Sequence, residues 1–255
     1  MKQVPLSDQI KVDPATHNLI RNSTDMTVNP ADLNALTEAI RLKKQTDAQI
    51  DVFTMGAEGA RAALVTAMAM GADEAYLVTD RAFAGGDTLG TARVLAAAIQ
   101  KAGSYDLIVC GSLASDGATG QVGPMLAQIL DQPSVTEIKK LDAPQDGTLG
   151  VYKAWKGKLA HLNMTLPGVI TVALGCNSPI LPTLRNQMKA KKKPIHVLTN
   201  EELALNPEKI GMSGAKSLVT DTYLREATGK QSVMLTGSAE EIADQILDLM
   251  EKARE

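Results

Sequence analysis

A glycine-rich segment of residues 111–124 has the composition and the position to bind an anion. The apolar run 106–110 before it predicts a buried strand, and residues 125–130 after it predict a helix. A glycine-rich turn between a strand and a helix presents free backbone N–H groups and the positive end of the helix dipole, where a phosphate can bind. The spacing matches neither G-x-G-x-x-G nor a P-loop. The motif alone leaves two interpretations open, a phosphate site or a turn whose glycines serve only backbone geometry.

Short β-rich runs alternate with helical patterns through the first half of the chain. Residues 50–55, 75–79 and 107–110 predict strands, and the segments between them predict helices. This alternation is typical of βαβ units, so we expect an α/β fold with a Rossmann-like parallel sheet flanked by helices. The 111–124 loop falls at the carboxyl end of a strand, where such sheets bind nucleotides.

Helix starts and ends support this interpretation. Asn29 and Pro30 predict an N-cap and a first helical residue. A second helix runs from about Glu58 to a stop at Gly71. Asp87 is a plausible N-cap of a third helix.

The second half of the chain follows a different pattern. A β-rich flank, antiparallel at least in part, is predicted by residues 135–138, 148–154, 158–165 and 169–174. An irregular arm then leads to an amphipathic segment, 239–253, with Ile242, Ile246, Leu247 and Met250 on one face. This helix either packs on its own domain or docks on a partner.

Composition excludes several classes of protein. The net charge of −3 gives no electrostatic reason to expect nucleic-acid binding. We find no signal peptide and no apolar run that could cross a bilayer, so we expect a cytoplasmic protein without membrane insertion. Two cysteines in 255 residues indicate a reduced protein rather than a disulfide framework.

Side chains that could support catalysis or bind a metal are scattered along the chain. The histidines, His17, His161 and His196, have no metal-ligand spacing. Neither cysteine lies in a nucleophile motif. We therefore expect no metal and no catalytic residue.

A basic run follows an apolar, proline-containing loop near residue 185. The loop is 180–184, and the run 188–193 contains four lysines. Exposed apolar side chains beside lysines suit a protein-docking site, because apolar burial provides affinity and charge steers the encounter. A solvated face or a contact to phosphate is the alternative.

Seven segments, in order and with matching spacing, resemble the β (small, or FixA-type) subunit family of electron transfer flavoproteins. They are residues 2–5, 28–43, 67–73, 87–92, 111–124, 166–171 and 188–194. The resemblance implies an adenine-nucleotide α-hydrolase-like fold and a heterodimer with a larger α subunit. It implies FAD shared with that α subunit, and a second adenine nucleotide in this chain, either a second FAD or AMP.

The resemblance also assigns site residues. The nucleotide contacts would be Asn29, Pro30, Ala31, Asp32, Met55, Gly111, Ser112, Ala114, Ser115, Asp116, Gly117, Ala118, Thr119, Gly120, Gln121 and Val122. Asp87, Thr88 and Thr91 match a motif associated with a flavin in this subunit, which favours FAD over AMP. Leu184 takes the place of a hydrophobic anchor for an acyl-CoA dehydrogenase, beside Met188, Lys189, Lys191, Lys192 and Lys193.

The implied function is an electron carrier rather than a stand-alone enzyme. FAD would shuttle electrons between an acyl-CoA-dehydrogenase-type flavoenzyme and other redox partners. Flavin bifurcation with NADH, and with ferredoxin or flavodoxin, stays open. The alternative is a redox-inactive adenine-nucleotide-binding protein of the same fold. We expect a domain of residues 1–198, with a partner loop at about 175–194, and an arm of residues 199–255 that packs on the α subunit.

Some residues depart from the family pattern. Gly90 replaces an alanine and Ala118 an acidic residue, and the partner loop lacks its Glu-x-Arg-Tyr pattern. The changed loop suggests a different dehydrogenase partner. The chain also starts at Met1 near the end of the expected first strand, so we expect either a trimmed sequence or a sheet that tolerates a missing strand.

Overall fold

The computed structural model describes residues 1–6, 11–12, 19–20, 26–220 and 232–252. His17 and Ala253 lie outside the described residues. The chain divides into two units, Met1–Asp221 and Thr222–Glu255. Residues 199–220, predicted to form part of the C-terminal arm, belong to the first unit.

The secondary structure of the first unit begins with strands and alternates with helices to residue 129. In order, the elements are β1 (Gln3–Pro5), β2 (Lys11–Val12), β3 (Leu19–Ile20), β4 (Met26–Val28), α1 (Pro30–Thr46), β5 (Asp51–Met55), α2 (Arg61–Met70), β6 (Glu74–Val78), α3 (Thr88–Ala102), β7 (Leu107–Gly111) and α4 (Val122–Ile129). The predicted strands and helices of this region are confirmed, with bounds that differ by a few residues.

The later elements include the predicted β-rich flank. They are β8 (Ser134–Leu141), β9 (Thr148–Trp155), β10 (Lys158–Thr165), β11 (Gly168–Val172), α5 (Leu184–Ala190), β12 (His196–Leu198), α6 (Asn200–Leu203), α7 (Gly211–Gly214) and α8 (Ala239–Lys252). In the second unit, α8 exposes Ile246, Leu247 and Met250 to solvent. Within the described residues, no helix has the length and apolarity needed to span a membrane.

Two larger sheets form the centre of the first unit. One has the order β12-β6-β5 and is entirely parallel. The other has the order β10-β9-β8-β11-β7, in which β7, β11 and β8 are parallel and β8, β9 and β10 antiparallel. This mixture confirms the α/β class and the antiparallel flank. Among the described strands, none pairs with the free edges of β5 and β7, while β1 pairs antiparallel with β4.

Helix α1 packs against both sheets on one face. Leu36 and Ile40 join the apolar cluster that contains Val52 of β5. Ala35 joins a second cluster, against which Val109 of β7 packs. The apolar stripe of a single helix therefore bridges the two sheets where their strands do not pair.

Helices α3 and α4 cover the opposite face. Ala96 and Leu126 form a cluster that packs against Phe53 of β5 and Ile108 of β7. Gly123 brings α4 close to β11, because a Cβ at residue 123 would overlap Cγ2 of Thr171. Close approach of a helix to a strand is thus possible only without a side chain at this position.

The segment of residues 206–217 is fastened to the start of α3. Oδ1 of Asp87 accepts a hydrogen bond from Gly90 N (2.8 Å) and caps the helix, as predicted. Its Oδ2 accepts from Lys216 N (2.7 Å) and Ser217 N (3.1 Å). Burial disfavours the charged carboxylate, but these donors outweigh it and hold the pKa of Asp87 below its usual range.

Gly123→Ala tests the close approach of α4 to β11. We expect it to lower the free energy of unfolding by about 1–3 kcal/mol, because the new methyl group overlaps Thr171. Thr171→Ser removes Cγ2 but keeps the hydroxyl that accepts from Glu137 N, so it should restore much of the loss in the double variant. Urea unfolding of the four proteins measures this, and equal losses with and without Thr171→Ser would contradict it.

Asp87→Asn tests the attachment of residues 206–217. Because the folded pKa of Asp87 lies below the unfolded value of about 3.9, its stabilisation is complete above that pH and is lost as pH falls through the folded pKa. Urea midpoints should therefore differ between wild type and variant at pH 7, and converge towards pH 3. Asp47→Asn, at an exposed carboxylate after α1, is the control. A gap that is constant with pH would refute the assignment.

Candidate functional site

The glycine-rich loop leaves β7 beside the first turn of α1. Gly111 N donates a hydrogen bond to Oδ1 of Asp32 at 3.1 Å. A Cβ at residue 111 would overlap the Asp32 carboxylate, so glycine is required for this approach. The other carboxylate oxygen of Asp32 accepts from Lys2 N at 2.6 Å. Asp32 thus joins the N-terminal residues, α1 and the start of the loop.

Asn29 holds the next part of the loop. Its side chain is 2% exposed, and Nδ2 donates to Leu113 O at 2.9 Å. Its Oδ1 accepts from Ser115 N at 3.1 Å. Asn29 precedes α1 as predicted but makes no side-chain cap to that helix. Its amide group is used to shape the loop instead.

Lys2 completes the support of the loop, a role that the sequence pattern did not indicate. Its Nζ contacts Oδ1 of Asp116 at 2.7 Å, and the Asp116 side chain is only 4% exposed. An ion pair with one buried partner is screened less by solvent than an exposed pair. Lys2 and Leu113 are therefore further loop-supporting residues. Leu113 stands between two predicted loop residues, and Lys2 belongs to the first of the seven family-like segments.

The N-termini of α3 and α4 meet beside this loop. Thr88, the first residue of α3, donates through Oγ1 to Oε1 of Gln121 at 2.9 Å. Gln121 directly precedes α4. The first-turn N–H groups of a helix have no intrahelical acceptors, and the dipole adds positive potential at that end. Two such ends converge here on an exposed glycine-rich turn.

Residues 117–121 have the features needed to accept a phosphate-bearing ligand. A Cβ at Gly117 would meet no heavy atom within 4 Å. Ala118 and Gly120 have φ values of 49° and 63°, which turn the backbone sharply. Within the described ranges, no protein acceptor is found for the backbone N–H groups of Gly117, Thr119 and Gly120. The donors and the space fit the phosphates of an adenine nucleotide.

The remaining predicted nucleotide residues lie around this centre. Pro30 is exposed and Ala31 buried in the first turn of α1, and Thr91 is half-buried in the first turn of α3. Met55 lies at the carboxyl end of β5, half-buried against the cluster that contains Phe83. Ser112 is buried, Ala114 and Val122 are half-buried, and Ser115 is exposed. Strand ends, helix starts and the loop between β7 and α4 thus supply the predicted positions.

The predicted docking residues lie on and around α5. Leu184 and Met188 are one helical turn apart and 75% and 54% exposed, and Leu181 before the helix is 83% exposed. Thr183 caps α5 by accepting from Asn186 N at 3.2 Å. Leu181, Leu184 and Met188 thus form an exposed apolar surface. We call it the docking face, because two of its residues are the predicted docking residues Leu184 and Met188.

The basic run is divided between solvent and the protein itself. Lys189, Lys191 and Lys192 are exposed. Lys193 instead places Nζ 3.4 Å from Ala72 O and 3.3 Å from Asp73 O. Lys193 therefore fastens the end of α5 to the loop after α2, a role that its sequence context did not distinguish from that of its neighbours.

The cysteine and the described histidine side chains are packed against other protein groups. Cys110 and Cys176 are both free, and burial raises the pKa of the Cys110 thiol to about 11. His196 stacks on Tyr76 and His161 stacks on Tyr152. Within the described part of the chain, no three His, Cys, Asp or Glu residues come together as metal ligands would.

Comparison with known proteins identifies the family. The family model described as "Electron transfer flavoprotein domain" matches residues 16–203. The chain is 38% identical over 251 residues to the electron transfer flavoprotein subunit beta of Thermoanaerobacterium thermosaccharolyticum, covering 97% of this chain and 95% of that protein. It is 37% identical to the subunit of the same name from Clostridium acetobutylicum, covering 92% and 90% of the two chains.

A third relative has a more specific name. The chain is 33% identical to the caffeyl-CoA reductase-Etf complex subunit CarD of Acetobacterium woodii, covering 98% of this chain and 96% of that protein. The α/β fold and these nearly full-length matches agree. The chain belongs to the electron transfer flavoprotein family and, within it, to the beta subunits. Its role is electron transfer.

Proposed function

We propose that this chain is the β subunit of a heterodimeric electron transfer flavoprotein and that its 111–122 loop binds an adenine nucleotide, a second FAD in preference to AMP. The convergence of the α3 and α4 N-termini on the loop carries this proposal. The backbone N–H groups of Gly117, Thr119 and Gly120 would hold the phosphates, which need donors rather than a particular side chain.

The nucleotide site depends on polar side chains that already have protein partners. Asn29 and Asp32 are buried and bonded to the loop, so they would shape the site while the backbone contacts the ligand. Thr88 and Thr91, at the start of α3, supply hydroxyl groups near the same place. The matching Asp87-Thr88-x-x-Thr91 pattern favours FAD over AMP.

The flavin shared with the α subunit supplies the redox chemistry when bound. This chain would cover that flavin, bind the second nucleotide and dock on a redox partner. The docking face of Leu181, Leu184 and Met188, with lysines at its edge, fits an acyl-CoA-dehydrogenase-type flavoenzyme with an acidic rim. The name of the Acetobacterium relative, which includes a CoA reductase complex, supports a partner of this class.

Nucleotide stoichiometry is the first test of this proposal. The chain is co-purified with its α partner and denatured, and the released FAD and AMP are counted per heterodimer. We expect two FAD and no AMP, which would justify testing NADH oxidation and bifurcation. One FAD and one AMP would refute the second flavin but would leave the proposed role as an electron carrier intact. ATP binding by the lone chain, with no α partner and no flavin, would refute the electron carrier and favour the redox-inactive alternative.

A graded pair of variants locates the nucleotide on the same heterodimer. Gly117→Ala and Gly117→Val add one and three carbon atoms into space that the protein leaves empty, so neither should disturb the fold. We expect Gly117→Val to release the nucleotide of this chain, and Gly117→Ala to weaken its binding less. The FAD shared with the α subunit and the thermal midpoint serve as controls. Full nucleotide retention in Gly117→Val would place the ligand elsewhere.

Leu184→Ala tests the docking face. Removing a side chain that is buried only in the complex should cost about 1.5–3 kcal/mol of partner affinity, or about 10–100-fold in the KM for the dehydrogenase. Flavin content should not change, because Leu184 is 75% exposed. Leu218→Ala, at a 66% exposed leucine outside the docking face, is the matched control. Lost flavin, or an unchanged KM, would refute the anchor role.

A further inference from the structure

A stripe of polar residues lies along the inner side of α1. Asn34, Thr37, Glu38 and Arg41 follow the i, i+3, i+4, i+7 spacing of one helical face. The first three are 2%, 0% and 6% exposed. Polar groups at this depth need hydrogen-bond partners, because an unpaired buried group costs free energy.

The partner of this stripe is the segment of residues 175–180. Oδ1 of Asn34 accepts from Gly175 N at 3.0 Å, and its Nδ2 donates to both the O and the Oδ1 of Asn177 at 2.8 Å. Asn177 Nδ2 in turn donates to Asn34 O at 3.1 Å and to Oε1 of Glu38 at 2.6 Å. The two asparagines therefore provide hydrogen-bond partners for each other, and Asn34 also accepts from the backbone N–H group of Gly175.

The contact continues along the helix. Thr37 Oγ1 accepts from Ile180 N at 3.1 Å and donates to Leu33 O at 2.8 Å. Arg41 Nη1 donates to Oε1 of Glu38 at 2.6 Å. Residues 175–180 are thus bound by three side chains of α1, those of Asn34, Thr37 and Glu38, and the exposed Leu181 follows immediately.

The segment has little apolar anchoring of its own before residue 180. Leu174 and Gly175 are exposed, and Gly175 has a φ of 71°. Cys176 is half-buried against one apolar cluster and Ile180 against another. Directional hydrogen bonds, rather than the less directional packing of apolar groups, therefore determine the path that leads to the docking face.

The N-terminus of the same helix holds the glycine-rich loop, directly before the polar stripe. Asn29 and Asp32 bind the 111–115 part of the loop, and Asn34 lies five residues after Asn29, or about 8 Å along the helix axis. A rigid helix thereby connects the nucleotide loop with the segment that carries the docking face.

We infer that Asn34, Glu38 and Asn177 are positioning residues that set the docking face of Leu181, Leu184 and Met188 relative to the nucleotide loop. The inference rests on the proposed function, because docking has meaning only for an electron carrier. Apart from the Arg41 contact to Glu38, their hydrogen bonds are to one another and to residues 175–180, and they act through that path.

Asn177→Ala in the heterodimer tests the positioning role. The variant loses three side-chain hydrogen bonds. Because the docking face is then less well positioned, we expect the KM for the dehydrogenase partner to rise about tenfold, with kcat and flavin content unchanged. Ile138→Val, a fully buried core substitution in the β-rich cluster, is the control for lost stability alone. An unchanged KM in Asn177→Ala, or the same rise in Ile138→Val, would overturn the inference.

An exchange of groups provides the rescue. Asn177→Asp alone places two carboxylates together and should raise KM further than Asn177→Ala. Adding Glu38→Gln restores a donor and an acceptor between positions 38 and 177, and the introduced carboxylate can still accept from Asn34 Nδ2. The bond to Asn34 O is not restored, so KM should return part of the way to the wild-type value. A double variant no better than Asn177→Asp would count against the network.

Amide hydrogen exchange separates this inference from the proposed function. In Asn177→Ala, the N–H groups of Gly175 and Ile180 should exchange faster, whether or not the protein transfers electrons. A wild-type heterodimer that transfers no electrons would refute the proposed function alone. Unchanged protection at both amides would refute the positioning role alone.

Discussion

The carboxylate of Asp32 is the contact on which the site depends. It lies in the first turn of α1 and accepts hydrogen bonds from Lys2 N and Gly111 N, at 2.6 and 3.1 Å. A carboxylate at a helix N-terminus is also favoured by the dipole. Among the described strands, none joins β5 to β7. Asp32 and the apolar stripe of α1 therefore hold the β5 and β7 parts of the fold together, although no strand pairing joins them. They also position the start of the glycine-rich loop.

Acidic residues surround a loop that we propose binds a phosphate-bearing ligand, yet their charges are compensated. Asp32 accepts two backbone N–H groups, Asp87 accepts three, and Asp116 pairs with Lys2. Charged groups with such partners repel a phosphate less than isolated carboxylates would. The N–H groups of Gly117, Thr119 and Gly120 and the N-termini of α3 and α4 remain as the attractive features.

Helix α1 has three separate tasks, and each uses a different part of its surface. Its first turn shapes the loop, its apolar stripe bridges two sheets, and its polar stripe holds residues 175–180. Rigid regular structure is a better support for a functional site than loops alone, since packing fixes its side chains. This explains how two exposed and irregular segments keep defined positions on one domain.

Local signals in the sequence were sufficient to predict the α/β class, the β-rich flank and the helix starts at Pro30 and Thr88, because hydrophobic period and turn residues act over short distances. The family was predicted from the resemblance of seven segments in order. How side chains distant in the chain pair became visible only in the folded protein. Asn29 could be predicted before α1, but its partners lie 84 and 86 residues away. The polar stripe of α1 has helical spacing in the sequence, yet Asn177, 143 residues away, makes it a support. Likewise, Lys193 differs from Lys192 only because folding brings Ala72 and Asp73 to it. Such partners depend on packing between elements, which periodicity does not encode.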